Sequence, residues 1–146
     1  MSVKVCKFGG SSVSCAENFK KIKDIVLSDE MRKVIVVSAL GKRFSCDEKI
    51  TDLLINIDSC AKNVANFVET LKKIKERFLE IKSRLGLKVD LEREFSCFEG
   101  EIASGKFSTD YIVSRGEYFT AKLMAEYLGF AFVDSINTLG LITRGS

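Results

Sequence analysis

The 146-residue chain contains no histidine and no proline. Without histidine there is no imidazole base near neutral pH and no His-based nucleophile triad. A zinc-type ligand set is disfavoured as well. The five cysteines (Cys6, Cys15, Cys46, Cys60, Cys97) are widely spaced and include no C-x-x-C pair. Their odd number and dispersal read as buried or incidental thiols of a reducing cytosol. No apolar run is long enough to span a membrane, and the apolar stretch near Met1 is too short for a signal peptide. A cytoplasmic location is therefore expected. Proline-rich linkers, internal repeats and low-complexity tracts are absent too. Charge of one sign is also in short supply: 23 basic against 20 acidic residues leave a formal net charge of +3. The densest basic stretch, Lys72 to Lys82, is interleaved with Glu76 and Glu80. It reads as a solvated helix face rather than a nucleic-acid surface. Any enzyme built from this chain must work by charge placement, or with a nucleophile that needs no deprotonation.

What is present is an ordinary globular composition, 46% apolar and 29% charged, with one domain's worth of chain. Val3 to Phe8 is a strand-like run that leads into Gly9-Gly10-Ser11-Ser12. A helix should follow, because Ser14 and Glu17 have capping-box spacing and Phe19, Ile22, Ile25 and Val26 form a stripe. Lys33 to Ser38 carries a continuous apolar run of the kind buried on both faces of a parallel sheet. The opening thus reads β-loop-α-β, with a right-handed crossover expected.

A polar loop covers Ala39 to Lys49, and residues 51–59 look helical. From Ala61 to Leu85 apolar residues recur at Val64, Phe67, Leu71, Ile74, Phe78, Ile81 and Leu85, with Gly86 placed as a C-cap. The pattern lasts only about three heptads, which favours a helix packed on its own domain over a coiled-coil arm. Leu91 to Phe107 reads as another helix or two, and Asp110 to Leu128 as a helix ending at Gly129. On the latter, Ile112, Gly116, Phe119, Leu123 and Tyr127 share one face. Phe130 to Val133 is a third strand, and Asn137 to Thr143 begins further β structure. The expected architecture is α/β with a mostly parallel sheet and a large helical insertion between Asp58 and Phe107.

Three segments carry chemistry. In Lys7-Phe8-Gly9-Gly10-Ser11-Ser12 a strand ends and a helix begins, so backbone amides can face an anion and Lys7 can supply a point charge. The order is neither that of a Walker loop nor G-x-G-x-x-G, and a plain tight turn remains open. Ser38-Ala39-Leu40-Gly41-Lys42 ends the second strand and precedes Thr51-Asp52-Leu53-Leu54. Ligands of open α/β sheets bind at such strand ends, although Thr51 also reads as a helix cap. Ser114-Arg115-Gly116-Glu117 has capping-box spacing as well, but the apolar stripe runs straight through it. Gly116 costs that helix about 1 kcal/mol relative to alanine, which points to close packing at this position. Glu117 is then a carboxylate suited to an ammonium group.

Together these segments resemble the aspartate kinases of the amino-acid kinase superfamily. Lys7 to Ser12 is similar to their K-F-G-G-[ST]-S signature, and Val36-Val37-Ser38-Ala39, Thr51 to Leu54 and Ser114 to Glu117 follow in the family's order. Phe132-Val133-Asp134-Ser135 resembles the family's next strand, so the resemblance spans nearly the whole chain. It implies a three-layer αβα sandwich with a mostly parallel sheet (the carbamate kinase-like fold), represented by its N-terminal lobe over residues 1–146. The nucleotide lobe with its G-R-G-G-S-D motif and the regulatory ACT domains of the family are expected to be missing. Leu141 to Ser146 fits the family only loosely.

The implied activity is that of an ATP:L-aspartate 4-phosphotransferase, which makes 4-phospho-L-aspartate with ATP and Mg²⁺. It is the first step toward lysine, threonine and methionine. By the resemblance, Lys7 contacts the transferred phosphoryl group and Gly9, Gly10 and Ser11 line the phosphate site. Ser38, Ala39, Thr51 and Glu117 match substrate-binding positions, while Arg115 receives no role. The family implies a homo-oligomer for the full-length protein, no nucleic-acid or membrane partner, and near inactivity for this stretch alone. Three other readings stay open: a kinase of another small acid or carbamate, a non-catalytic binding module that kept the phosphate loop, and an interaction arm at Ala61 to Leu85.

Overall fold

In the computed structural model, which describes residues 2–60, 64–134 and 140–145, the chain begins with the expected strand, helix and strand. Strand β1 spans Lys4–Phe8, helix α1 Ala16–Leu27 and strand β2 Arg32–Val37. Helices α2 (Ile50–Cys60), α3 (Val64–Leu85), α4 (Leu91–Ser104) and α5 (Thr109–Leu128) follow, and strands β3 (Ala131–Asp134) and β4 (Gly140–Thr143) close the chain. The strand order is β1-β2-β4-β3. β1 pairs with β2 in parallel, but β4 runs antiparallel to both β2 and β3, so the expectation of a mostly parallel sheet gives way to a mixed one. Ala61, Ser135 and Asn137, which entered the sequence reading, lie outside the described residues.

The start of α1 differs from the capping box expected at Ser14 and Glu17. Residues Gly10–Val13 form a 3-10 turn, and the N-cap is Cys15, whose side chain caps nothing. That turn draws Ser14 inward, where its hydroxyl donates to the Ser11 carbonyl (3.1 Å) and accepts from the Asn18 amide (3.1 Å). Glu17 pairs with Lys20 instead. Ile25, counted on the apolar stripe, is 47% exposed, whereas Phe19, Ile22 and Val26 are buried.

Helix periodicity is realised most fully in α3. Phe67, Leu71, Ile74, Phe78 and Ile81 are all buried against the domain's own core, so the face is not an arm awaiting a partner. α3 stops where Gly86 takes a left-handed conformation (φ 66°), and α5 stops the same way at Gly129 (φ 71°). α5 packs across β2, β3 and β4 and touches α2 and α3. Its N-cap is Ser108, which accepts from the Tyr111 amide, so Ser114 to Glu117 is mid-helix and the capping-box alternative falls. Phe119 at the centre stacks on Phe95 (4.2 Å between centroids, 7° between planes) and meets Phe78 at 5.5 Å and Phe98 at 5.7 Å.

Candidate functional site

Two loops meet at the carboxyl ends of β1 and β2. The Ser38 amide donates to the Phe8 carbonyl (3.1 Å), which extends the strand pairing by one step into the loops. The Gly41 amide then donates to the Gly10 carbonyl at 2.8 Å. The backbones are so close that a Cβ on Gly41 would lie 2.5 Å from the Gly10 carbonyl carbon and 2.7 Å from the Ser11 nitrogen. Only glycine fits at position 41 without moving main chain. The Leu40 carbonyl accepts from Ile50, which fixes the start of α2 beside the same loops.

The third wall comes from α5. A Cβ on Gly116 would lie 2.7 Å from the Ala39 Cβ and 3.2 Å from the Leu54 Cδ1, so this glycine lets α5 close onto the end of β2 and onto α2. The close packing expected at Gly116 is therefore present. One residue on, the Glu117 carboxylate lies close to the Ala39 backbone amide. Burial pushes the Glu117 carboxyl above its ordinary value, and nearby backbone amides and the Arg115 charge pull it back only in part.

These elements border an open cavity of about 460 Å³. Of the residues expected at a site, Gly10, Ser11, Ser38, Ala39, Thr51 and Glu117 all line it. Thr51 sits in the first turn of α2, which begins at Ile50, so it is not the cap of that helix. Two expected residues are not brought into the lining. Gly9 precedes the 3-10 turn, and Lys7 is exposed on β1 between Cys6 and Phe8, both of which pack against the core. Alternation along the strand sends the Lys7 side chain to the face opposite that core, beside its register partner Val36. Among the described residues Lys7 forms no ion pair.

Lys42, part of the second chemistry-bearing segment but given no role there, and Lys49, which was not singled out, also line the cavity. Both lie in a loop whose length hides which residues turn inward. Glu117 also borders a second, larger hollow of about 880 Å³, formed with Ile55, Ser114 and the Lys106–Tyr111 turn. Arg115, beside it, is a tether. Its guanidinium lies between the Tyr111 and Tyr118 rings (4.5 and 4.6 Å) and pairs with Asp134 at the end of β3 (3.4 Å).

A glycine-lined loop and a half-buried carboxylate thus meet at the end of a parallel strand pair in an α/β domain. The sequence profile described as the Amino acid kinase family matches residues 2–140, and the chain belongs to that family. The relatives are aspartokinases. Aspartokinase 3 of Bacillus subtilis is 35% identical over 88% of this chain and 29% of its own length. The chloroplastic aspartokinase 1 of Arabidopsis thaliana is 36% identical over 96% of this chain and 24% of its own.

Among solved structures, Clostridium acetobutylicum aspartate kinase superposes with a TM-score of 0.88 at 41% identity, covering 92% of this chain and 31% of that one. The aspartokinase III of E. coli, solved in complex with aspartate and ADP, superposes with a TM-score of 0.70 at 28% identity, covering 88% of this chain and 29% of that one. The chain thus spans less than a third of the length of these relatives.

Proposed function

We propose that this chain forms the amino-acid-binding part of an aspartate kinase, which moves the γ-phosphoryl group of ATP to the side-chain carboxylate of L-aspartate. The observation that carries the reading is the position of Glu117. Its carboxylate is half-buried, lies near the Ala39 amide, and forms one wall of the cavity that Gly10 and Ser11 also line. A carboxylate there suits the substrate's ammonium, while the glycine loop suits a phosphate.

The chemistry fits a chain without histidine. The attacking carboxylate has an ordinary pKa near 3.9 and is ionised at neutral pH, so no general base is needed. One of its oxygens bonds to the γ-phosphorus as the bridging P–O bond breaks, and that electron pair leaves with ADP. The obstacle is repulsion between two anions. Backbone amides at Gly10 and Ser11 would offset it, and Lys7, whose side chain leaves β1 on the other face, would have to reach around the strand end to add its charge. Thr51, Ser38 and Ala39 would hold the amino acid, and Glu117 would orient it through the ammonium. Among the described residues no group of three Asp, Glu, Cys or His side chains could hold a metal. Magnesium would come with the nucleotide, since that ion is usually held by substrate phosphates and only one or two carboxylates.

The finer architecture belongs to the same proposal. It comprises a three-layer αβα sandwich completed by a nucleotide lobe, the stretch from Asp58 to Phe107 that carries α3 and α4 as a family-specific helical insertion, and a cytoplasmic homo-oligomer serving lysine, threonine and methionine synthesis. Among the described residues no helix is long and apolar enough to cross a membrane. Titration calorimetry tests the site. L-aspartate should bind in roughly the millimolar range. Succinate, which lacks the ammonium, should bind at least about tenfold more weakly because Glu117 is left unpaired. Equal binding of the two acids, or none of either, overturns the reading. A coupled ATP-and-aspartate assay on residues 1–146 should show almost no turnover.

A further inference from the structure

We propose that Arg77 is a positioning residue that fixes the spacing of the two loops forming the cavity. The inference rests on the phosphoryl-transfer reading above for its kinetic consequence, though not for its geometry. Arg77 lies on α3, well away in sequence from both loops, and its side chain is only 7% exposed. One guanidinium Nη donates to the Gly41 carbonyl (2.7 Å) and to the Ser14 carbonyl (3.1 Å). The other donates to the Glu48 carbonyl (2.9 Å), and Asp47 stands 3.9 Å away as counter-charge. Asp47 is itself held by the Arg43 side chain and amide.

These acceptors are not arbitrary. Gly41 is the residue whose amide is bonded to the Gly10 carbonyl, and Ser14 closes the 3-10 turn by bonding the Ser11 carbonyl. One planar fork therefore holds the far ends of both cavity loops, each a single hydrogen bond from Gly10 or Ser11. A guanidinium can do this because its donors are rigidly splayed, whereas a lysine ammonium is a compact point that cannot span three carbonyls in one plane. Burying a charge is also a poor way to gain stability, since an apolar side chain of similar volume is often neutral or better. A buried arginine aimed at loop carbonyls is better explained by the geometry it imposes. The helix α3 thus reaches the cavity without lining it.

Exchange is read on residues 1–146, and kinetics on the same residues within a complete aspartate kinase chain that includes the nucleotide lobe, with R77M and R77K as variants in both. Amide hydrogen exchange is followed over residues 10–14 and 41–49, with Ile35 to Val37 of β2 as the internal reference. R77M should speed exchange in both loops about tenfold or more, because three buried acceptors lose their donor, while the reference strand changes less than about twofold. R77K should fall between R77M and the parent. Below the unfolding transition, kcat/KM with ATP and aspartate should drop at least about tenfold in R77M and partly recover in R77K.

Uniformly faster exchange, or loops no faster than β2, overturns the proposal. Loosened loops with unchanged kcat/KM in the folded protein overturn it as well. If R77M does not fold, R77K carries the same comparison. A parent protein without aspartate-dependent transfer sinks the kinase reading and this kinetic role together, and the exchange pattern alone still decides whether Arg77 couples the loops.

Discussion

The aromatic interior among α3, α4 and α5 and the paired loops beyond β1 and β2 are both tightly packed, by opposite means. In the interior, side chains of Phe78, Phe95, Phe98 and Phe119 interlock ring against ring. At the loops, main chain lies directly on main chain, with side chains removed at Gly10 and Gly41. Burial of apolar area rewards the first arrangement. The second gains little area and holds backbone amides and polar side chains around a hollow. Such packing costs conformational entropy at each glycine, and what it creates is a cavity rather than a core. The contrast separates the part of the chain that maintains the fold from the part that offers chemistry.

The largest expected effect lies in the interior. F119A removes the ring that touches three other phenylalanines and should cost about 3–5 kcal/mol in urea unfolding. F119L keeps most of the volume and should cost less than half as much. If F119A cost no more than an exposed substitution, the interior would not be the stabilising half of the comparison. Next comes G41A. Its methyl meets only backbone within 2.7 Å, so the loops must separate, at about 1–3 kcal/mol of stability. Aspartate binding should nevertheless fall more than tenfold, since the same displacement opens the cavity. A G41A protein with unaltered binding would show that the glycine contact serves the fold alone.

Much of this was legible in the sequence, for identifiable reasons. The stripe from Phe67 to Ile81 repeats often enough to fix α3, its burial and its stop at Gly86. Glycine inside the α5 stripe signalled close approach at residue 116, and the coordinates supply the Ala39 neighbour. Short-range polar choices were less readable. Ser14 and Glu17 have the spacing of a capping box, yet the 3-10 turn shifts the helix start and turns Ser14 to other partners. The direction of β4 could not be read, because four residues carry no record of which neighbour they run against. Arg77 was hidden for a different reason. On a helix rich in lysine and arginine, nothing local distinguishes the one cation that points inward.

The smallest expected effect is the one that sharpens the comparison most. A carboxyl whose folded-state pKa is raised binds protons more readily in the folded than in the unfolded chain. For Glu117, raised by burial above its ordinary 4.5, ionisation in the folded protein is therefore unfavourable. Folding stability declines as pH rises from that ordinary value through the raised one, and the penalty persists at neutral pH. E117Q removes the ionisation and should be slightly more stable than the parent at pH 7, with the advantage vanishing as pH falls to about 4.5. Asp47 makes the opposite case. The Arg43 hydrogen bond holds it well below the usual carboxylate range, so D47N should lose stability at neutral pH and lose progressively less as acid protonates the parent. Urea unfolding of the three proteins between pH 2 and pH 7 reads both slopes, that of Glu117 above its ordinary 4.5 and that of Asp47 below its ordinary 3.8. A carboxylate kept ionised at a cost to folding belongs to a binding cavity, and E117Q matching or falling below the parent at pH 7 would return Glu117 to the ordinary structural residues.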